Sequence, residues 1–140
     1  AKGRIGLPTR YHERVMAECQ GKFVLTVDIR ERCLVLYPLP EWEVIEARLD
    51  ALPSSSAPLA MLKRRLMGYA TEINLDSAGR FLVSPELRKF ALFEKAVVFA
   101  GQGKKCEIWH KPTWDALQAE LLNADFSAAE LAQAIDTLAL

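Results

Sequence analysis

No stretch of this 140-residue chain approaches the roughly 20 consecutive apolar residues that a bilayer-crossing helix needs; its longest apolar runs, such as residues 23–27 and 96–100, are strand-sized. No basic segment leads into an apolar one at the start, so nothing marks a secretory leader and the expectation is a cytoplasmic protein. Three cysteines, Cys19, Cys33 and Cys106, form no CxxC pair, which argues against both a disulfide framework and a structural zinc site. Net charge is missing too: 18 basic side chains cancel 18 acidic ones, so composition alone carries no nucleic-acid signature. There is no P-loop, nucleophile elbow or dinucleotide-binding glycine turn. What remains, 51% apolar and 26% charged residues, is the make-up of one ordinary folded domain, or of two small units sharing a core.

Charge is segregated along the chain rather than absent. Residues 1–14 hold Lys2, Arg4, Arg10 and Arg14 against Glu13, whereas residues 112–140 hold Asp115, Glu120, Asp125, Glu130 and Asp136 with no Lys or Arg. The chain also repeats itself at a separation of 72 to 77 residues. Gly3-Arg4 recurs as Gly79-Arg80, Pro8 as Pro85, the run 23–27 as 96–100, Cys33 as Cys106, and Pro40-Glu41-Trp42 as Pro112-Thr113-Trp114. Each unit reads as a Gly-Arg turn into a short strand, a Pro-initiated helix, a hairpin of two apolar strands, and a second helix begun by Pro-x-Trp.

Spacing sets the helices. Tyr11, Val15, Met16 and Cys19 share a face after Pro8, as do Trp42, Ile45, Leu49 and Leu52 after Pro40. Ser84-Pro85-Glu86 combines an N-cap hydroxyl with proline at the first helical position. After the break at residues 53–56, a helix from about Pro58 turns Leu59, Leu62 and Leu66 inward and is expected to stop at Gly68. Ser127-x-x-Glu130 predicts a capping box opening a last helix that displays Leu131, Ile135 and Leu138. The implied organisation is a first repeat over 1–42, connecting helices over 43–69, a second repeat over 70–114 and C-terminal helices over 115–140.

A unit of this size buries too little apolar surface alone, so the two are expected to pair about a pseudo-two-fold axis. The second has a strand at 73–75 and Asp76 ahead of its Gly-Arg turn; the first begins at Ala1 with neither, so upstream residues supplying one strand and one acidic turn residue are expected.

Asp76-Ser77-Ala78-Gly79-Arg80 is the most informative segment. An Asp able to fold over its own turn, a Gly free to take positive φ and an exposed Arg make a rigid loop presenting a cation. Alone it would be an ordinary hairpin corner; its recurrence in the same context points to a role. These residues, with Ala1-Lys2-Gly3-Arg4, the segment 33–42, and Glu107-Ile108-Trp109 leading to Trp114, resemble the MraZ family over nearly the whole chain.

That family comprises bacterial transcriptional regulators with two SpoVT-AbrB type repeats. The resemblance implies an α+β fold: a pseudo-two-fold swapped-hairpin β-barrel built from the two repeats and flanked by helices. It implies a homo-oligomeric ring of many protomers that binds short tandem repeats in double-stranded promoter DNA without a cofactor. It implies repression of the division and cell wall gene cluster, including the regulator's own gene, by a nucleoid-associated protein. The family's DNA-contacting turn falls on Gly3 and Arg4, with Lys2 ahead of them, and on Asp76, Gly79 and Arg80. The copies are unequal, Lys2 standing where the second has Ala78, and the first is expected to be the main reader. Arg can bond guanine bidentately while Lys2 neutralises phosphate.

Other features compete less well. Lys63-Arg64-Arg65 reads as a solvated helix face, and Trp42 and Trp114 as packing residues rather than base-stacking platforms. Cys106 and His110 have Glu107 between them, but four residues along a strand is about 13 Å, too far for a nucleophile and its base or for shared metal ligands, so the chain is not expected to be an enzyme. The alternative of a different class is an antitoxin-like interaction module of the same barrel type. Such modules carry a flexible partner-binding tail, whereas this C-terminus reads as a capped helix.

Overall fold

The computed structural model describes residues 3–12, 19–53, 55–125 and 127–139. Its centre is a hairpin of β2 (Lys22–Val27) and β3 (Leu34–Pro38), following β1 (Arg4–Gly6). Phe23, Val24, Leu25, Thr26 and Val27 are all buried, although alternate residues of a strand point to opposite faces, so β2 must be covered on both sides. Helices α1 (Leu39–Asp50) and α2 (Ala57–Tyr69) cover one face, where Val24, Trp42 and Leu49 form a core with Leu62 and Leu66 against it. Phe23, Leu25 and Val27 face the other way, into the main core with Leu34, Leu36, Ile108, Leu7, Phe81, Val83 and Leu87.

After α2 come β4 (Thr71–Asn74), β5 (Arg80–Leu82), α3 (Pro85–Phe90), β6 (Val97–Gly101), β7 (Cys106–His110), α4 (Lys111–Leu121) and α5 (Ala129–Leu138). Five strands form one antiparallel sheet in the order β4-β2-β3-β7-β6, and β1 pairs with β5 in a separate two-stranded ribbon. The repeats are therefore interleaved. β4 of the second joins β2 of the first, β3 joins β7, and β1 joins β5.

Both interior pairings are self-symmetric. Leu34 opposes Ile108 and Leu36 opposes Cys106 around Val35 and Glu107, while Arg4 opposes Leu82 and Gly6 opposes Arg80 around Ile5 and Phe81. The fold is α+β with antiparallel sheets. Among the described residues it does not close into the expected barrel: β4 pairs only with β2 and β6 only with β7, which leaves the sheet open at both edges, and the ribbon packs on one face instead of bridging them.

The predicted hairpins and Pro-initiated helices are present. Ser84 caps α3, its Oγ accepting the Leu87 N–H at 3.3 Å, and Ser56 caps α2 by accepting from Leu59 at 3.4 Å. Tyr37 packs on Trp42 at 5.8 Å between ring centroids and Trp109 on Trp114 at 5.7 Å, so the recurring Pro-x-Trp tryptophans are scaffold, Trp42 buried and Trp114 half-buried.

Two boundaries differ from expectation. α2 runs through Gly68 to Tyr69 and ends where Ala70 turns extended, at φ −63° and ψ 127°, because the chain enters β4 one residue later. The capping box does not form: the Ser127 hydroxyl donates to Asp125 Oδ1 at 2.6 Å, and the final helix starts from Ala128 without a side-chain cap. The helix expected after Pro8 is helical at residues 9–12 and its Cys19 is buried; Val15 and Met16 lie outside the described residues.

Phe81 stands at the crossing point of the two repeats and is 1% exposed. Phe81→Ala is expected to cost about 3–5 kcal/mol in urea unfolding with an unchanged m-value, the loss expected for a well-packed aromatic.

Candidate nucleic-acid interface

The β1–β5 ribbon brings the two Gly-Arg turns, 76 residues apart in sequence, to the two ends of one short pairing. Beyond the paired strands, the Leu7 N–H donates to the Gly79 carbonyl at 2.9 Å and the Val83 N–H to the Gly3 carbonyl at 2.8 Å. Each turn is thus anchored by the opposite repeat. Both glycines take positive φ, +81° at Gly3 and +74° at Gly79, where a Cβ would be strained.

Asp76 organises the second turn. Its Oδ1 accepts the Ala78 and Arg80 N–H groups, each at 2.9 Å, while its backbone N–H donates to the Arg80 carbonyl at 2.8 Å and its carbonyl accepts from Gly79 at 3.0 Å. Oδ2 receives both arginines, Arg80 Nε at 3.3 Å and Arg4 Nη1 at 3.6 Å. Two guanidiniums therefore converge on one carboxylate, leaving a local excess of positive charge. The arginine side chains are 47% and 48% exposed, so this charge faces solvent.

Backbone hydrogen bonds from Arg80 and then Ala78, with the Arg80 charge, hold the Asp76 carboxyl below the usual carboxylate range. The depressed value means that the stability Asp76 contributes is present above its unfolded pKa and is lost as pH falls through the lower folded one.

Of the residues singled out from the sequence, Gly3, Arg4, Asp76, Gly79 and Arg80 meet at this ribbon; Lys2 lies outside the described residues. Two supports were not foreseen. His12 Nε2 lies 2.6 Å from the Leu7 carbonyl, so Nε2 carries the donated hydrogen, and the ring fills the space below Gly79, where a Cβ would come within 2.6 Å of it. Arg88 Nε donates to the Val83 carbonyl at 3.1 Å, and its guanidinium lies 3.2 Å from where a Gly3 Cβ would stand. His12 and Arg88 are 76 residues apart, the same offset as the glycines, so the repeat itself was the signal; the change of residue type hid it.

Other candidates resolve differently. Lys63 Nζ donates to the Leu52 carbonyl at 3.0 Å and Arg65 lies 5.8 Å over the Phe90 ring, so two of the three charges in that run are engaged within the chain. His110 Nδ1 contacts Thr113 Oγ1 at 2.7 Å, at the start of α4, and makes no pair with Cys106.

A family profile described as "MraZ protein, putative antitoxin-like" matches the chain twice, over residues 1–65 and 66–136. The chain belongs to the MraZ family. One Gly-Arg turn falls in each match. The protein named transcriptional regulator MraZ from Halorhodospira halophila is 47% identical over 141 residues, covering 100% of this chain and 93% of that relative. Those of the same name from Thioalkalivibrio sulfidiphilus and Escherichia fergusonii are each 42% identical, over 99% and 100% of this chain and 92% and 93% of their own lengths. These relatives carry the name of a regulator and not of an enzyme, in agreement with the sequence reading.

Gly79→Ala is expected to destabilise by about 1–2 kcal/mol from the left-handed backbone alone, with a further cost from the His12 clash. Adding His12→Ala should relieve only the clash, giving a non-additive double-mutant cycle in urea melts. Carboxyl NMR should find Asp76 titrating below the normal aspartate range, and Arg80→Ala should raise it.

Proposed function

We propose that the chain is a sequence-specific DNA-binding transcriptional regulator whose contact element is the paired Gly-Arg ribbon. The single observation that carries this reading is the convergence of Arg4 and Arg80, both exposed, on one Asp76 carboxylate at the tip of a ribbon anchored from both repeats. Arg80, held through Nε, keeps its fork free, and Arg4 rests one fork nitrogen on the same carboxylate at 3.6 Å; either guanidinium can make bidentate bonds to guanine O6 and N7, and fixed turns lower the ordering cost of binding. The names of the relatives support the same class.

Arg4 is the main reader and Arg80 the lesser one. Arg80 is tied to Asp76 through Nε, next to its own turn, whereas Arg4 reaches the same oxygen only at 3.6 Å and is freer to turn to a base. Gly3 and Gly79 shape the turns, and Lys2 neutralises phosphate. The two repeats interlock as exchanged hairpins, the hairpin of each repeat joined to the other through β3 and β7 and the two Gly-Arg strands β1 and β5 paired together.

One ribbon offers few contacts and the chain has no net charge, so affinity comes from repetition: a homo-oligomeric ring sets several ribbons along tandem promoter repeats, each added contact becoming intramolecular. Exposed Leu122, Leu131 and Leu138 on the C-terminal segment supply apolar surface for such assembly. The outcome is steric repression of the division and cell wall gene cluster, including the regulator's own gene, by a cytoplasmic, nucleoid-associated protein.

Gel-shift titration against duplexes with one or several short repeats, beside a scrambled duplex, tests this reading. Tight binding is expected only with several repeats and should weaken steeply between about 50 and 200 mM salt. Arg4→Ala should cost about 1–3 kcal/mol per contacted site and abolish the preference for the repeats, with Arg80→Ala costing less. Equal affinity of Arg4→Ala and parent would remove Arg4 from the interface; no preference at any salt would favour the antitoxin-like interaction module.

A further inference from the structure

Away from the ribbon, on the helix-covered face of the sheet, three metal-ligating side chains from both repeats meet. One carboxylate oxygen each of Asp28 and Glu107 and the sulfur of Cys33 all lie within 4.8 Å of one another. Asp28 opens the loop between β2 and β3 and Cys33 closes it, the Asp28 N–H donating to the Cys33 carbonyl at 3.0 Å; Glu107 comes from β7, beside β3.

Each carboxylate is already oriented through one oxygen. Asp28 Oδ2 accepts the Arg30 and Glu31 N–H groups at 2.9 and 2.8 Å, and Glu107 Oε1 accepts the Trp109 indole N–H at 3.0 Å. This leaves the second oxygen of each for a further partner, and among the described residues no Lys or Arg forms an ion pair with either. Cys33 is 0% exposed, and its thiol has no hydrogen-bond partner among the described residues.

Packing does not require this set. The β3–β7 pairing, symmetric about Val35 and Glu107, makes Val35 the counterpart of Glu107, and the Gln102 N–H bond to the Lys105 carbonyl closes the second hairpin as that of Asp28 to Cys33 closes the first, so the fold builds the equivalent position of the other repeat without a carboxylate. Two half-buried like charges facing a sealed thiol are unfavourable unless something positive sits between them.

We infer that Asp28, Cys33 and Glu107 bind a divalent cation of the Zn²⁺ class, which joins the β2–β3 loop of the first repeat to β7 of the second. One thiolate with two carboxylate oxygens suits a borderline-soft ion that accepts mixed sulfur and oxygen donors, with the fourth tetrahedral position left to water. Bonds of about 2.0–2.3 Å would draw the donors to roughly 3.3–3.8 Å of one another, a contraction that rotation of the two partly exposed carboxylate side chains supplies. Burial first, then the charges of Glu107, Asp28 and Glu31, push the Cys33 thiol pKa up against the smaller opposing effect of Lys105, so it is protonated in the metal-free chain. Binding replaces its S–H bond by a metal–sulfur bond and releases the proton to solvent. No spacing motif announces the set, because β3 and β7 become neighbours only in the fold. The inference is independent of the DNA-binding reading.

The test uses the full chain stripped with chelator, titrated with Zn²⁺ by calorimetry and with Co²⁺ as the optical probe. Expected are a single ion per chain, a near-ultraviolet thiolate-to-cobalt charge-transfer band, release of a proton and a higher melting temperature with Zn²⁺. Cys33→Ala should abolish the band. Asp28→Asn and Glu107→Gln retain acceptors for their present hydrogen bonds, so they should weaken Zn²⁺ binding at least about tenfold with unchanged circular dichroism. The proposal is overturned by the absence of a thiolate band, by a band that persists in Cys33→Ala, or by unchanged affinity in Glu107→Gln. The Glu107→Gln result decides the matter if Cys33→Ala fails to fold.

Discussion

The structure depends on one reciprocal interaction, the antiparallel pairing of β1 with β5 that ends in the Leu7 to Gly79 and Val83 to Gly3 hydrogen bonds. Neither strand exceeds three residues, and a ribbon so short is not stable by itself in water. It persists because Leu7, Phe81 and Val83 anchor it in the main core beside Phe23, Leu25 and Leu87. The same burial that joins the repeats thereby fixes the two turns that carry the arginines.

Interleaving explains why neither repeat is self-sufficient. β2 is flanked by β3 of its own repeat and by β4 of the other, so Phe23, Val24 and Leu25 pair with strands of both halves and are buried between them. Thr26, the polar member of that run, is 0% exposed, and its hydroxyl donates to the Leu66 carbonyl at 2.8 Å, fastening α2 to the sheet without an unpaired polar group. The ribbon is supported in the same crossed way. His12, following β1, fills the space under Gly79, and Arg88, following β5, lies against Gly3, so a change in either helix is felt in the opposite turn.

Much of this was legible in the residues. Hairpins, helix starts at Pro8, Pro40, Pro85 and Pro112, and the Asp76 turn follow from local chemistry: proline without an N–H, serine as a cap, glycine at positive φ. Closure of the sheet was not legible, because a hydrophobic run states that a strand is buried but not which edge it pairs with. Ser127 was misleading for a related reason. A hydroxyl two residues beyond an aspartate can bond that carboxylate as well as a helix N–H, and here Asp125 takes it.

The sequence by itself determined the repeat, the order of elements and the identity of the Gly-Arg turns, since each is written within a few neighbouring residues and physical preferences at that range are local. Tertiary structure alone decided that Arg4 and Arg80 share one carboxylate, that His12 and Arg88 prop opposite turns, and that Asp28, Cys33 and Glu107 converge. These are meetings of residues far apart in the chain. They exist because apolar strands from two repeats could be buried only by pairing with each other, and no local pattern encodes which side chains that pairing brings face to face.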